Sequence, residues 1–333
     1  MQNQGQRLDP SFVDRVCEPV HRDFIRLVHW NIEKGKRWAL LERCLDDESI
    51  RSADILSLNE ADYGMARSGN RHVAFEIAER LGMRVIYAPT FFEFTKGTGD
   101  ERSAPGENTA AQHGNAVLTR LPVDSFQNIK LPSCHDALQS EEKRAGGRSV
   151  LIVKMRAARG FQFTLAATHL EVFTTRKCRA RQMQFLLEHL KESPAIIAGD
   201  FNTNTFDRGS VWRTIQGLIA LLGAGVKTRV QRPWMAEPLF DFLKAEGFTW
   251  DQFNDWNPTN IADLSALEDR KYLPAFLVQL ALKRGRELPL RLDWIACRGF
   301  KAVVPGRTLT ALPAEPSDHL PITCDLARVS GTV

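Results

Sequence analysis

The sequence has no apolar run long enough to cross a membrane. A transmembrane helix needs about 20 consecutive apolar residues, and the longest apolar stretches here, 217–222 and 272–282, are much shorter. The first seven residues contain no apolar segment of the kind that forms the centre of a secretory signal. We therefore expect a soluble protein without a transmembrane segment.

Cysteine is scarce, and no two cysteines stand in a C-x-x-C pair. The six are spread along the chain, at Cys17, Cys44, Cys134, Cys178, Cys297 and Cys324. This spacing excludes the common zinc signatures. A chain of 333 residues can also bury a stable core without disulfides. We therefore expect reduced thiols and a cytoplasmic location.

Neither sign of charge dominates the sequence. Lysine and arginine number 44 against 40 aspartates and glutamates, which gives a net charge of +4. A dedicated nucleic-acid-binding protein usually has a stronger bias or a visible basic stripe, whereas a mildly basic chain is compatible with an anionic substrate without requiring one. The hydrophobic fraction of 43% and the charged fraction of 25% exclude a disordered chain, a collagen-like fibre and a coiled coil.

Short apolar runs bounded by turn or polar residues predict nine buried strands. They cover 24–30, 55–58, 84–87, 116–118, 150–153, 163–167, 195–198, 292–296 and 322–326. Helical spacing of apolar residues predicts helices over 38–50, 73–81 and 179–190. Because some predicted strands follow one another without a helix between them, the pattern favours a layered α/β sandwich over a doubly wound parallel sheet.

The segment 205–291 differs from the rest of the chain. Its strand signals fade, helical ones dominate, and it is too long for a single loop. We interpret residues 21–330 as one domain that carries this segment as a mostly helical insertion at the rim of the active site. Residues 1–20 form an N-terminal segment that we expect to be flexible.

Polar side chains repeatedly stand at the ends of the predicted strands. They are Asn31, Glu33, Glu60, His169, Asp200, Asn202, Asp293, Asp318 and His319. One such residue alone is most often a turn or cap residue, but six motifs of this kind in one chain predict a convergent polar site. Oxygen ligands without thiolates suit a hard cation such as Mg²⁺ or Mn²⁺. The collection fits metal-assisted hydrolysis of a phosphoester.

The order of these motifs along the chain is specific. They are Trp30-Asn31-Ile32-Glu33, Asn59-Glu60, His113-Gly114-Asn115, Thr168-His169-Leu170, Gly199-Asp200-Phe201-Asn202, Leu292-Asp293-Trp294-Ile295 and Ser317-Asp318-His319-Leu320-Pro321. The set resembles the endonuclease/exonuclease/phosphatase superfamily, which includes DNase I-like nucleases, abasic-site endonucleases, neutral sphingomyelinases and inositol polyphosphate 5-phosphatases. The resemblance implies a four-layer α/β/β/α sandwich with two mixed sheets, here with a helical insertion.

The resemblance also implies a set of metal ligands. Glu60 corresponds to the principal ligand of Mg²⁺ or Mn²⁺, with Asn31 adjoining it and Asp318 near enough to assist. Glu33 stands where many relatives have aspartate, so its carboxylate reaches about one methylene further. Arg148 aligns loosely with a phosphate-contacting arginine of some members.

The remaining motif residues take catalytic roles by the same resemblance. Asp200 positions or deprotonates the attacking water, and Asn202 holds the scissile phosphate. His319 contacts a phosphate oxygen, while Asp293 accepts the other N–H of its ring and fixes the tautomer. His169 corresponds to a second phosphate-contacting histidine of the nuclease-like members. His29, in contrast, is interpreted as a histidine that the fold merely accommodates.

The substrate stays open at this stage. The first hypothesis is a metal-dependent hydrolase of a small or lipid-derived phosphodiester, and the alternative is a DNA or RNA endonuclease or exonuclease. A hypothesis of another class is a catalytically silent binding protein, and no obligate protein partner is evident. The cluster 176–181 is either a cationic lip for a polyanion or a solvated helix face. The tryptophans of the insertion, chiefly Trp234, Trp250 and Trp256, either contact substrate or pack the insertion's own core.

Overall fold

Two mixed β-sheets form the centre of the protein. The computed structural model describes residues 9–17, 22–134, 136–139, 142–172, 174–191, 194–203, 211–212, 215–216, 219, 232–263, 279, 283 and 287–329. The described strands are β1 Ser11–Val13, β2 Ile25–Lys34, β3 Ile55–Tyr63, β4 Arg84–Glu93, β5 Gln112–Thr119, β6 Val123–Lys130, β7 Arg144–Gly146, β8 Ser149–Arg156, β9 Gln162–His169, β10 Ala195–Asp200, β11 Asn260–Asp263, β12 Glu287–Leu290, β13 Asp293–Arg298, β14 Phe300–Thr308 and β15 Ile322–Arg328.

The strand order brings distant parts of the chain side by side. The first sheet has eight strands in the order β1-β4-β5-β3-β2-β15-β14, with β7 paired to β4. The second has five strands in the order β13-β10-β9-β8-β6, and β11 pairs with β12 separately. The pairs β2–β3 and β9–β10 are parallel, while the other pairs are antiparallel. The prediction of two mixed sheets is confirmed.

Helices cover the outer faces of both sheets. The described α-helices are α1 Trp38–Cys44, α2 Glu48–Arg51, α3 Val73–Leu81, α4 Arg176–Glu188 and α5 Leu239–Ala245. One apolar cluster fills the space between the sheets, a second joins the first sheet to α1 and α3, and a third joins the second sheet to α4 and α5. This gives the four layers that the resemblance implied. None of the described helices has the length and apolar character needed to cross a membrane.

The alternation of side chains along β2 shows how one strand serves two layers. Leu27 belongs to the cluster between the sheets, whereas Val28 and Trp30 belong to the cluster beneath the helices. Successive residues of a strand face opposite sides, so His29 and Asn31 share the inter-sheet side with Leu27. Both are buried. Because both faces of β2 are covered, most of the residues 24–30 are apolar, and this apolar run made the strand predictable from the sequence.

The predicted helix over 38–50 is two helices. The chain leaves α1 after Cys44, and α2 begins at Glu48. The side chain of Asp47 accepts a hydrogen bond from the backbone N–H of Ser49 at 2.9 Å and caps the start of α2. An aspartate in this position starts a new helix rather than continuing the previous one.

The expectation of reduced thiols throughout is wrong at one pair. Cys134 and Cys178 form a disulfide, while Cys17, Cys44, Cys297 and Cys324 are free. The bond joins the segment after β6 to the first turn of α4, two parts of the chain that sequence spacing could not place together. Disulfides persist mainly in oxidising compartments, so a cytoplasmic location stays a prediction without the support of the cysteine pattern.

The described part of 205–291 is bound closely to the second sheet. It contains α5 and the strands β11 and β12, and much of the remainder lies outside the described residues. Phe201 N–H donates to Leu292 O at 2.8 Å, so the segment leaves and re-enters the sheet at neighbouring points. The Asn254 amide pairs with both the N–H and the C=O of Ile295, at 3.0 and 2.7 Å.

Candidate active site

Strand register places the polar motifs at one end of the sandwich. In the first sheet Asn31 is the parallel partner of Asn59. In the second sheet Asp200 is the partner of both His169 and Asp293, one on each side. Strand ends that are neighbours in register lie at one edge of a sheet. Asn59 joins the two edges, because its Oδ1 accepts a hydrogen bond from Asp200 N–H at 2.9 Å.

The backbone at this edge adopts unusual conformations. Glu33, Glu60 and Asn202 have positive φ angles of 46°, 58° and 51°, a region that costs free energy for residues with a side chain. Gly199 is required for another reason, since a Cβ there would lie 2.0 Å from Thr168 O of the adjacent strand. Concentration of such features at strand ends is typical of functional sites.

Asn31 lies between two carboxylates. Its Nδ2 is 3.2 Å from Glu60 Oε1 and 3.2 Å from Asp200 Oδ2, so one amide connects the first sheet to the second. Burial alone would raise the pKa of Glu60, but nearby His113 and Lys34 lower it below its ordinary value. Glu60 therefore keeps a negative charge in a half-buried position.

Glu33 and Asp318 lie beside this group. Glu33 is ion-paired with Lys36 and Arg37, and its Oε2 accepts a hydrogen bond from Asp318 N–H at 3.1 Å. Burial, together with the carboxylates of Glu33 and Glu60, raises the pKa of Asp318. Crowding of like charges is relieved by a cation.

A histidine–aspartate pair lies on the other side of Asp200. His319 Nδ1 is 2.7 Å from Asp293 Oδ2, and His319 Nε2 is 4.0 Å from Asp200 Oδ2. Although burial opposes the charge, Asp293 and Asp318 raise the pKa of His319 well above its usual value. Among the described residues, Asp200, Asp293 and His319 also each offer a ligand atom within 4.8 Å of the others and could hold a metal ion.

Asp200 is the most contacted carboxylate of the site. Its Oδ1 accepts a hydrogen bond from Asn202 N–H at 2.8 Å, and its Oδ2 lies 3.4 Å from His169 Nε2. Burial and then the neighbouring charge of Asp293 raise the pKa of Asp200 to about 7. Burial, followed by the cation Arg148, lowers the pKa of His169 well below its usual value, so this imidazole is neutral.

Two further side chains of the site, Asn202 and Arg148, are those that the sequence predicts to contact the phosphate. Asn202 Nδ2 donates to Leu170 O at 2.9 Å, which fixes the amide beside the β9 end. Arg148 is buried, its Nε lies 3.8 Å from Glu171 Oε2, and its guanidinium stacks 5.6 Å from the Phe91 ring. Its charge acts on both Glu60 and Asp200, which places it near the predicted metal ligand and the predicted water-activating carboxylate.

The structure therefore brings the predicted site residues together around Asp200. Direct contacts link Asn31, Glu60, Asp200, Asn202, His169, Asp293 and His319 to one another or to the same strand ends. Glu33 and Asp318 adjoin this group, and Arg148 acts on it through charge.

Sequence reasoning missed one feature of the site. His29 is fully buried and has its Nε2 3.1 Å from Asp293 Oδ1, although it was interpreted as merely accommodated. A single histidine in a strand forms no recognisable motif. The only signal in the sequence is that His29 stands two residues before Asn31, so that both side chains face the same side of β2.

The cationic lip proposed for 176–181 is weaker than the sequence suggested. Arg179 is fully buried, and its Nη2 pairs with Glu237 Oε1 at 2.7 Å. Arg176 is also close to Glu237, with Nε 3.9 Å from Oε1. The ion pair joins α4 to the residues before α5 rather than facing solvent.

The tryptophans of the insertion mostly pack against the protein. Trp234 and Trp250 pack on the apolar cluster outside the second sheet, with ring centroids 6.4 Å apart. Trp256 lies 5.5 Å from Trp234 and is 39% exposed. Of the three, only Trp256 is exposed, while Trp234 and Trp250 are half-buried.

Comparison with known proteins agrees with this geometry. The model of the Endonuclease/Exonuclease/phosphatase family matches residues 28–319. No curated protein matches the chain in sequence. A solved endonuclease/exonuclease/phosphatase from Beutenbergia cavernae is similar in structure, with a TM-score of 0.58 and 17% identity over 92% of this chain and 72% of that chain.

Two other solved structures have the same fold. A family protein from Bacteroides vulgatus has a TM-score of 0.53 and 15% identity, over 92% of this chain and 100% of its own. A 3'-5' exonuclease from Neisseria meningitidis has a TM-score of 0.50 and 16% identity, over 91% of this chain and 100% of its own. At such identities the likeness establishes the fold alone.

Proposed function

The chain belongs to the endonuclease/exonuclease/phosphatase family, and we propose that it hydrolyses a small or lipid-derived phosphodiester with the help of a divalent cation. Members of this family are generally hydrolases of phosphoester bonds. The observation that carries this proposal is the arrangement around Asp200. A carboxylate with a pKa of about 7 lies between a charged histidine–aspartate pair and the Asn31–Glu60 pair.

The donor set fits a hard divalent cation. Glu60 supplies a charged carboxylate, and Asp318 and Glu33 supply further carboxylates in a crowded group. Asn31 turns its Nδ2 towards Glu60, while its Oδ1 accepts a hydrogen bond from Glu33 N–H, so the amide would have to rotate to offer this oxygen to the cation. Mg²⁺ and Mn²⁺ prefer such oxygen ligands. A bound cation would neutralise part of the charge on the phosphate. Its proposed ligands are Glu60 and Asn31, with Asp318 and Glu33 nearby.

The protein's own groups supply the remaining chemistry. Asp200, whose pKa is near neutrality, accepts a proton from the attacking water as the new O–P bond forms and the P–O bond to the leaving oxygen breaks on the opposite side. The leaving oxygen takes up a proton from solvent and departs as an alcohol. The Asn202 amide and the neutral His169 hold the phosphate by hydrogen bonds. His319 donates a hydrogen bond from Nε2 to a phosphate oxygen, while Asp293 accepts its Nδ1–H. The hydrogen bond from Nε2 stabilises the negative charge that develops on the phosphate oxygens in the transition state.

The small or lipid-derived ester is favoured over a nucleic acid because of the surface beside α4. A duplex or long single strand is bound mainly through lysine and arginine contacts to several phosphates. Of the four cations in 176–181 that the sequence offered for that purpose, Arg179 is buried against Glu237 and Arg176 lies close to the same carboxylate, which leaves Lys177 and Arg181 exposed. A DNA or RNA nuclease remains the alternative outcome of the experiment below.

A substrate screen tests the proposal. The purified protein is assayed on bis-p-nitrophenyl phosphate, sphingomyelin, inositol phosphates, plasmid DNA and RNA, each with Mg²⁺, Mn²⁺ or EDTA, and with Asp200→Ala as the matched inactive control. We expect metal-dependent turnover of the small or lipid diesters that the variant lacks. Faster cleavage of DNA or RNA, with binding that weakens steeply with salt, would assign the nuclease alternative. Metal binding without turnover on any substrate would indicate a catalytically silent binding protein.

A further inference from the structure

A second histidine contacts the carboxylate that orients His319. Asp293 Oδ2 faces His319 Nδ1 at 2.7 Å, and its Oδ1 faces His29 Nε2 at 3.1 Å. The other ring nitrogen of His29, Nδ1, lies 3.3 Å from Ser57 Oγ. His29, Ser57 and Asp293 have no exposed surface. Four side chains from β2, β3, β13 and the segment before β15 thus form one buried row.

The direction of each hydrogen bond in this row follows from Asp293. An ionised carboxylate has no proton to give, so both ring nitrogens that face it must donate. His29 therefore carries its proton on Nε2, and its Nδ1 accepts the hydroxyl proton of Ser57. Because a hydroxyl can donate or accept, Asp293 sets the tautomer of His29 and Ser57 provides the partner for Nδ1.

We propose that His29, whose Nδ1 is paired with Ser57, is a positioning residue of the hydrolysis: it holds Asp293 so that the carboxylate accepts the Nδ1–H of His319. The proposal rests on the proposed function, because it concerns the same reaction. Since both oxygens of Asp293 are engaged by imidazole N–H groups, Asp293 serves His319 rather than a metal ion, even though it lies within 4.8 Å of other ligand atoms.

The surroundings of His29 argue against a purely packing role. Leu27, two residues earlier on the same side of β2, belongs to the apolar core between the sheets. An imidazole in such a place costs free energy unless both nitrogens are paired. An apolar side chain would fill the space without that cost, but it would leave Asp293 Oδ1 buried and without a donor.

The test compares two replacements of His29 with a control. His29→Leu removes the donor, whereas His29→Gln retains an amide N–H at about the position of Nε2. Val28→Ala is the matched control, since Val28 is equally buried on the same strand but faces the helices. Thermal unfolding of all three variants reports whether each is folded, and metal affinity is measured by titration with Mn²⁺ alone.

On the small diester, we expect His29→Leu to lower kcat about 10- to 100-fold while KM and Mn²⁺ affinity stay within about twofold. His29→Gln should recover most of kcat, and Val28→Ala should lower stability without this loss. Three results would overturn the proposal: an unchanged kcat in a folded His29→Leu protein, a glutamine variant no better than the leucine variant, or a loss of Mn²⁺ affinity in parallel with kcat.

A second readout does not depend on turnover. In the NMR spectrum of protein labelled with ¹⁵N-histidine, the Nδ1 proton of His319 should resonate far downfield and exchange slowly, because it is buried against a charged acceptor. His29→Leu should shift this resonance and speed its exchange, and Val28→Ala should not. An unchanged resonance would overturn the role of His29, whether or not the wild-type protein hydrolyses any diester. Absence of turnover by wild type in the substrate screen would count against the proposed function alone.

Discussion

At the scale of single residues, Asp200 and His319 are the side chains on which the proposed reaction most depends. Replacing either by alanine should lower kcat by about 10²- to 10⁴-fold, the usual contribution of a general base or an electrostatic donor. The unfolding transition should stay close to that of wild type, because both lie at strand ends rather than in the apolar core. Steady-state kinetics on the small diester provide the measurement, and a variant that keeps more than about a tenth of wild-type kcat would contradict the role.

Asp293→Asn is expected to be milder than His319→Ala. The amide still reaches His319 Nδ1, 2.7 Å from the present oxygen, but it loses the negative charge that keeps the pKa of His319 raised. Comparison of kcat for the two variants under identical conditions is the measurement. Greater damage from Asp293→Asn would show that the two side chains do not act as a pair.

Glu60→Gln should weaken metal affinity without abolishing activity. The amide keeps one oxygen ligand but loses the charge that attracts a hard cation. We expect a higher Mn²⁺ concentration for half-maximal rate, with activity partly recovered at high Mn²⁺. The measurement is a titration of rate against Mn²⁺ for wild type and variant. Identical curves would remove Glu60 from the cation's ligands.

The residue types of the site could be predicted from the sequence, but some of their partners could not. Asn31, Asp200 and His319 stand in short motifs whose order is specific. The contact between His29 and Asp293 joins residues 264 positions apart. It depends on which strands become neighbours, and no local pattern encodes that.

At the scale of elements, the start of α3 should respond to pH. His72 is the N-cap residue of α3 and stacks on Tyr63, with ring centroids 4.2 Å apart. Burial lowers its pKa from 6.5 to about 4. The unfolded chain therefore binds the proton first as the pH falls, so the contribution of His72 to stability is complete above about pH 6.5 and is lost towards pH 4.

Replacement of His72 by phenylalanine tests this dependence. The ring can still stack, but it cannot take up a proton. Urea unfolding at pH 7.5 and pH 5 should show a smaller loss of stability at the lower pH for His72→Phe than for wild type. The same loss in both proteins would mean that other groups cause the acid sensitivity. Asn70→Ala, a change in the preceding turn that keeps the histidine, serves as the control.

The strands that sequence patterns failed to predict lie at sheet edges. β6 and β14 each pair with one neighbour and expose one side to solvent. Such strands mix polar and apolar residues and contain no continuous apolar run. The inner strands were predicted because both of their faces are buried, although their ends extend by a few residues to carry Glu60 and Asp200.

At the scale of the whole molecule, the Cys134–Cys178 disulfide constrains the unfolded chain. The two cysteines are 44 residues apart, and a loop of that length corresponds to about 4 kcal/mol in the chain-entropy model. Reduction should lower the free energy of unfolding by up to this amount. The fold should persist, because Gln182 and Arg181 of α4 also donate to Pro132 O and Ser133 O of the same segment.

Urea titrations with and without a thiol-free reductant such as a phosphine measure this contribution. The double variant Cys134→Ser/Cys178→Ser is the control, because it should match the reduced wild type and be insensitive to the reductant. Equal stability of oxidised and reduced wild type would contradict the prediction.

The overall architecture was predictable because the motif order identifies the family and the apolar runs identify the inner strands. The placement of residues 205–291 was not. Its apolar and aromatic residues give the same sequence pattern whether they contact a substrate or the rest of the protein. In the structure, Trp234 and Trp250 pack on the second sheet. Burial of that kind depends on tertiary contacts such as the Arg179–Glu237 ion pair.

The pairing of Phe201 with Leu292 has an evolutionary consequence. Because the chain departs and returns at adjacent points of the sheet, residues that do not pack on the sheet can be gained or lost between them without separating Asp200 from Asp293. The entropic cost of such changes is small, since doubling the length of a flexible loop costs only about 0.6 kcal/mol. Relatives of this chain can therefore differ in length at this point while keeping the same strand ends.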